Sequence, residues 1–121
     1  MAMQRDGGLL AWQWRGYPAA HRDRVNLMIH IVAVPALIAG VLATLNLAWH
    51  GLWIGAAIAF GLVILAFAAQ GVGHKREREA PAPFAGPGDF IARVFAEQFI
   101  TFPRFVLGGG WLRNLAQPRG D

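Results

Sequence analysis

The sequence predicts an all-α membrane protein, a two-helix transmembrane hairpin with interfacial or amphipathic helices at both ends. Three observations carry that expectation. Residues 25–74 contain no Lys, Arg, Asp or Glu, a charge-free run long enough for two passes of about twenty residues across a hydrocarbon layer ~30 Å thick. The chain of 121 residues is 55% hydrophobic and only 15% charged, too apolar for an ordinary soluble domain of its size. Finally, Arg5, Arg15, Arg22 and Arg24 precede the run, and every remaining Lys or Arg, from Lys75 to Arg119, follows it. Basic flanks around an uncharged middle place both termini in the cytoplasm.

One membrane domain, 1–121, is expected, divided into an interfacial N-terminal segment (1–24), the hairpin (25–74), and a loop with an amphipathic C-terminal helix (75–121). Residues 1–8 read as a disordered start. Residues 9–17, with Trp12, Trp14 and Tyr17 around Gln13 and Arg15, have the aromatic, amphipathic character of a headgroup-zone anchor. Asp23 is the expected N-cap of the first long helix, which covers 27–48 and contains Pro35 as a kink. The Trp49-His50-Gly51 link makes the turn and 52–72 the second pass. Small residues in both helices, among them Gly40, Ala43, Gly55 and Ala59, let the backbones approach closely.

Beyond the hairpin, Pro81 and Pro83 forbid helix, and Gly86-Pro87-Gly88 turns the chain before Asp89, the expected N-cap of a third helix over 90–101. Its apolar side holds Phe90, Ile91, Val94, Phe95 and Phe99. Asp89, Arg93, Glu97 and Thr101 recur every four residues as a polar stripe, with Arg93 and Glu97 spaced for an ion pair. Pro103 is expected to end that helix, 105–111 to dip into the interface, and the tail to fray.

Several function classes are excluded or made remote. Without Cys there is no disulfide scaffold, thiol nucleophile or thiolate metal site, so His and carboxylates are the strong ligands available. The net charge of +4 is accounted for by topology and anionic lipid heads. No nucleic-acid partner is expected, because no reader motif accompanies the charge. No cleavable signal peptide is expected either, since the first apolar run begins late and is longer than a signal core.

The chemistry gathers at one end of the hairpin. His30 stands about twenty residues before the turn and His74 about twenty-three after it, so ~1.5 Å per residue puts them at similar depth on the cytoplasmic rim. His21 and Glu77 lie just outside that rim. His50 is at the opposite end, roughly 30 Å away by the same arithmetic. Asn26 shares a helical face with His30, and Gln70 with His74 and Glu77. Imidazoles and a carboxylate without thiolate suit iron, zinc, manganese or nickel. A few His with one carboxylate and open positions is the set that ferrous iron uses to activate oxygen.

These residues resemble a known family. His21-x4-Asn26-x3-His30 followed by Pro35, then Gln70-x2-Gly73-His74 with Glu77 and Pro81-Ala82, is similar to the fungal endoplasmic-reticulum 2-hydroxy fatty acid dioxygenases of phytosphingosine breakdown and their bacterial relatives. The later runs Glu97-Gln98-Phe99, Thr101-Phe102-Pro103-Arg104-Phe105 and Gly109-Gly110-Trp111 resemble the bacterial branch. The resemblance implies an Fe(II)-dependent, O2-consuming cleavage of a 2-hydroxy fatty acid to CO2 and the acid one carbon shorter, in a bacterial inner membrane. It makes His21, His30, His74 and Glu77 the catalytic metal ligands. Asn26, Gln70, Glu97 and Arg24 are expected around them or against substrate, with Arg22 or Lys75 also able to steady an acidic head. Ala33 stands where the family has glycine, and Glu77 follows His74 by three residues where the fungal pattern has four, so Glu97 is the reserve carboxylate. A fatty acid or lipid substrate, the membrane, and a homo-oligomer are the expected partners. The alternative of another class is a non-enzymatic membrane assembly or lipid-organising protein, in which the histidines are individually dispensable.

Overall fold

The computed structural model describes residues 5–118. Among them the regular structure is entirely helical: α1 (Gly8–Gly16), α2 (Arg24–Trp49), α3 (Trp53–His74), α4 (Pro87–Ala96), a π-helical turn (Glu97–Thr101), α5 (Phe102–Leu107) and α6 (Gly110–Ala116). Two of these helices, α2 and α3, are long and apolar enough to cross a membrane, with mean hydropathies of 2.3 and 2.1. Their outer faces carry exposed Val32, Leu45, Ile54, Ile58 and Leu65.

Asp23 caps α2 as its sequence position implies, its side chain accepting the Asn26 N–H at 3.0 Å. The helix runs through Pro35 without ending. It stops in a Schellman arrangement: Gly51 takes the left-handed φ of 73°, Gly51 donates to the Ala48 carbonyl and Leu52 to that of Leu47. Glycine supplies that φ without strain. His50 is exposed in this turn and bonds only the local Asn46 carbonyl. α3 returns directly along α2, and small residues set the spacing. A Cβ on Gly40 would meet Val63 Cγ2 at 2.8 Å and the Ala59 carbonyl at 3.2 Å, and one on Gly73 would collide with the Asn26 side chain.

The remaining elements wrap the open end of this hairpin. Tyr17, Leu27, Val34, Phe102 and Phe105 form one buried cluster, joined by Trp14, Ile31, Trp111 and Leu115. Here the structure corrects three expectations. Arg5 belongs to no disordered start, because it pairs with Asp89 at 2.6 Å; only residues 1–4 of that segment lie outside the described residues. The third helix begins at Pro87, with Gly86 at the cap position and Asp89 inside the first turn. Pro103 does not end it. The chain widens into a π turn, with the Phe102 N–H reaching back to the Glu97 carbonyl, and continues as α5. A proline lacks the N–H that an α-helical ladder needs there, and the wider turn takes up the break.

Within 105–111, Phe105 is 1% exposed and Leu107 lies open on the surface, while the Trp111 indole donates to the Leu27 carbonyl at 2.8 Å. The last residues of the expected frayed tail, 119–121, lie outside the described residues. Arg93 pairs with Asp89 at 3.5 Å instead of with Glu97, and also donates to the carbonyls of Ala82 and Pro83. Its guanidinium lies over Trp12 and Phe84, and Arg5 lies over Trp12 as well. The aromatic face of α1 is thereby fastened to α4.

The close α2–α3 contact yields a test. Gly40→Ala is expected to destabilise the protein by about 1–3 kcal/mol, because the stiff Val63 side chain and a backbone carbonyl must move. Gly61→Ala, where nothing lies within 4 Å, is expected to be neutral or stabilising by up to about 1 kcal/mol. Thermal unfolding of both variants in detergent measures the difference.

Candidate metal centre

Each histidine of the rim arrives from a different piece of local structure. His21 lies between α1 and the Asp23 cap, His30 lies one turn inside α2 from Asn26, and His74 is the last residue of α3. Their three rings stand nearly perpendicular to one another, with centroids 4.7–4.9 Å apart. His21 and His30 are 3% and 0% exposed. The Nδ1 of His21 donates to the Tyr17 carbonyl at 2.9 Å and that of His30 to the Asn26 carbonyl at 3.0 Å. A carbonyl can only accept, so both Nδ1 atoms carry the proton and both Nε2 atoms present a lone pair inward.

Those two Nε2 atoms and His74 Nδ1 are buried without a hydrogen-bond partner. Native chains rarely leave such atoms unsatisfied, and here all three orphans face one point. The fourth donor is Glu97, at the start of the π turn, whose Oε2 lies 3.4 Å from His21 Nε2 and 3.7 Å from His30 Nε2. One ligand atom from each of His21, His30, His74 and Glu97 lies within 4.8 Å of the others. Opposite donors around a single cation stand about 4–4.4 Å apart when each bond is about 2.0–2.2 Å, so the group is slightly wider than one ligand shell and would close by a few tenths of an ångström around a cation. Three imidazoles and a carboxylate fit a borderline divalent metal such as iron, zinc or manganese.

Glu97 is prepared as an anion. Burial opposes its charge, and positive charge on the facing His21 and His30 draws its carboxyl below the usual range, a charge that a bound cation would supply in their place. Its Oε2 also accepts the Tyr17 hydroxyl at 2.8 Å. Burial, reinforced by the Glu97 charge, pushes the Tyr17 phenol well up, so it stays a donor. The Tyr17 ring stacks on His21 at 3.7 Å and 16°. A cavity of about 460 Å³ opens beside the cluster, with Trp12, Gln13, Tyr17, His21, His74 and Glu97 in its wall.

Glu77, expected as the fourth ligand, stands outside this group. The helix ends at His74, and three residues later the chain has turned aside. Both Glu77 oxygens accept the backbone N–H groups of Arg22 and Asp23 at 3.0–3.1 Å, and Oε2 also takes the Asn26 amide at 2.6 Å. Glu77 thus clamps the segment carrying His21 to the start of α2. Asn26 acts through this clamp and through its carbonyl on His30. Gln70 lies one turn from His74 but meets Gln98 in a reciprocal amide pair, 2.9 and 2.8 Å, fully buried. Arg24 points to the carbonyls of Leu115 and Gln117, Arg22 reaches the Gln117 side chain, and Lys75 is exposed at the end of α3. None of the three is in the cavity wall.

Sequence reasoning missed Tyr17, Gln98 and Asn114 as parts of this assembly. Asn114 in α6 donates to the carbonyls of Pro18 and His21, a tie between distant segments that leaves no local pattern. Tyr17 had a signal, since it precedes His21 by four residues.

A family model described as 2-hydroxy-palmitic acid dioxygenase Mpo1-like matches residues 9–102, which include His21, His30, His74 and Glu97. No curated protein and no solved structure matches the chain.

The two carboxylates are separable by experiment. Glu97→Ala is expected to abolish stoichiometric binding of a divalent metal. Glu77→Ala is expected to keep it, with affinity lower by about ten- to a hundredfold, as for residues that orient ligands without touching the metal. Competition against a chromophoric chelator reads both.

Proposed function

From its membership of the Mpo1-like family, to which the chain belongs, we propose that it is an Fe(II)-dependent dioxygenase cleaving a 2-hydroxy fatty acid to CO2 and the fatty acid one carbon shorter. The observation that carries this reading beyond the family is the convergence of three partnerless buried imidazole nitrogens on Glu97. A cluster of that kind beside an open cavity suits catalysis better than structural support, because a structural site is closed by its ligands. The overall change balances with one O2 per molecule: the 2-hydroxy acid and O2 yield the shorter acid, CO2 and water.

His21, His30, His74 and Glu97 would hold the iron. When bound, ferrous iron would supply the Lewis acidity and redox capacity that an oxidation beside the carboxyl group requires. The chain's own residues orient and exclude. The Tyr17 and Asn26 carbonyls fix the planes of two imidazoles, and the Tyr17 hydroxyl fixes Glu97. Phe102 and Phe105, packed on His30, His21 and Tyr17, keep water from that side of the cluster. The cavity admits the acid's polar end, and its acyl tail lies along the apolar hairpin, which spans a bacterial cytoplasmic membrane with both ends on the cytoplasmic face.

Protein purified in detergent and loaded with Fe(II) is expected to consume one O2 and release one CO2 per molecule of 2-hydroxypalmitate. Chelation or His74→Ala is expected to abolish both. Iron-loaded protein that consumes no oxygen with any 2-hydroxy acid, recorded with an oxygen electrode, overturns the proposal.

A further inference from the structure

Tyr17 touches two of the four donors through three different groups. Its carbonyl accepts His21 Nδ1–H at 2.9 Å, its ring stacks on the His21 ring at 3.7 Å, and its hydroxyl donates to Glu97 Oε2 at 2.8 Å. It is 3% exposed and sits at the end of α1, an element that supplies no ligand itself. Phe105 at 5.1 Å and Phe102 at 6.5 Å pack edge-on against its ring, which holds the hydroxyl within reach of Glu97.

His21 and Glu97 are also the two donors that lie outside the paired long helices. His30 and His74 project from long helices, whereas His21 lies in an irregular link and Glu97 on a π turn. A ligand on such a segment needs an outside contact to hold its angle, and hydrogen bonds from neighbouring residues are the usual means.

We propose that Tyr17 is a positioning residue of the metal centre, which makes one unit of the two ligands that lie outside the long helices. The inference rests on the reading of the cluster as a metal site. Its phenol hydroxyl selects which Glu97 oxygen faces the cation, and its carbonyl and ring fix His21 separately. The two contributions therefore come apart on substitution. Removing the hydroxyl alone disturbs Glu97 and leaves His21 in place, while removing the ring disturbs both.

Cobalt(II) is the probe, because its visible spectrum reports ligand geometry without turnover. Tyr17→Phe, nearly isosteric, is expected to weaken Co(II) binding by about tenfold and to shift the visible bands, with the melting temperature of the metal-free protein unchanged. Tyr17→Ala is expected to weaken it further. In a Glu97→Gln background, where the carboxylate is already lost, Tyr17→Phe is expected to change affinity by a factor near one, the non-additivity of residues acting through one another. Wild-type protein that binds Co(II) while Tyr17→Phe binds it with the same affinity and spectrum overturns this inference and leaves the metal centre standing. Equal effects of Tyr17→Phe with and without Glu97 also overturn it. Wild-type protein that binds neither Co(II) nor Fe(II) overturns the metal reading and this inference together.

Discussion

Where α2 begins and α3 ends, the two backbones are so close that a single methyl group on Gly73 would run into Asn26. That contact sets the register of the whole hairpin at its functional end. His30 follows Asn26 by one helical turn and His74 follows Gly73 directly, so their separation is fixed by helix geometry rather than by side-chain choice. The same Asn26 amide reaches Glu77, which holds the backbone of Arg22 and Asp23. One point of contact thus fixes His30 and His74 and steadies the segment that carries His21. Any residue larger than glycine at 73 would disturb all three together.

The hairpin and the level of its histidines were legible in the sequence for a simple reason. A charge-free run has few ways to be stable, and the constant rise of a helix converts sequence distance into depth. Asp23 was legible as a cap because its side chain acts within three residues. Legibility stopped where the helix stopped. Glu77 lies three residues past the end of α3, where helical spacing no longer assigns a face, and it turned toward backbone N–H groups. Glu97 stood in the polar stripe of the third helix, and a strict 3.6-residue period pairs it with Arg93. In the fold a π turn begins at Glu97, shifting everything after it by a fraction of a turn, and Arg93 goes to Asp89. Pro103 is the one mark of that turn in the sequence, and it reads more simply as a stop.

The chemistry of the cluster follows from what surrounds it. An unpartnered polar atom in a protein interior costs on the order of 1–3 kcal/mol, and three sit within one small volume. The chain keeps them there through contacts that each secure the far side of a ligand: carbonyls of Tyr17 and Asn26 behind two imidazoles, the phenol beside the carboxylate, and Asn114 on the His21 backbone. Donors so constrained are preorganised for a cation, whose binding to the folded chain adds to its stability by linkage. The Gln70–Gln98 pair shows the opposite solution one turn away. Each amide gives the other a donor and an acceptor, so these two buried polar side chains turn to one another beside the cluster.

The order of the ligands along the chain has a consequence for biosynthesis. Polypeptides emerge from the ribosome N-terminus first, and the four donors follow at 21, 30, 74 and 97. A nascent chain with its long helices already paired has His30 and His74 side by side and no acid between them. The negative charge arrives last, on a helix that must first turn back through the 75–86 loop. The four-donor set is therefore complete only once the C-terminal third of the polypeptide has been made, and a product truncated before Glu97 lacks its one carboxylate.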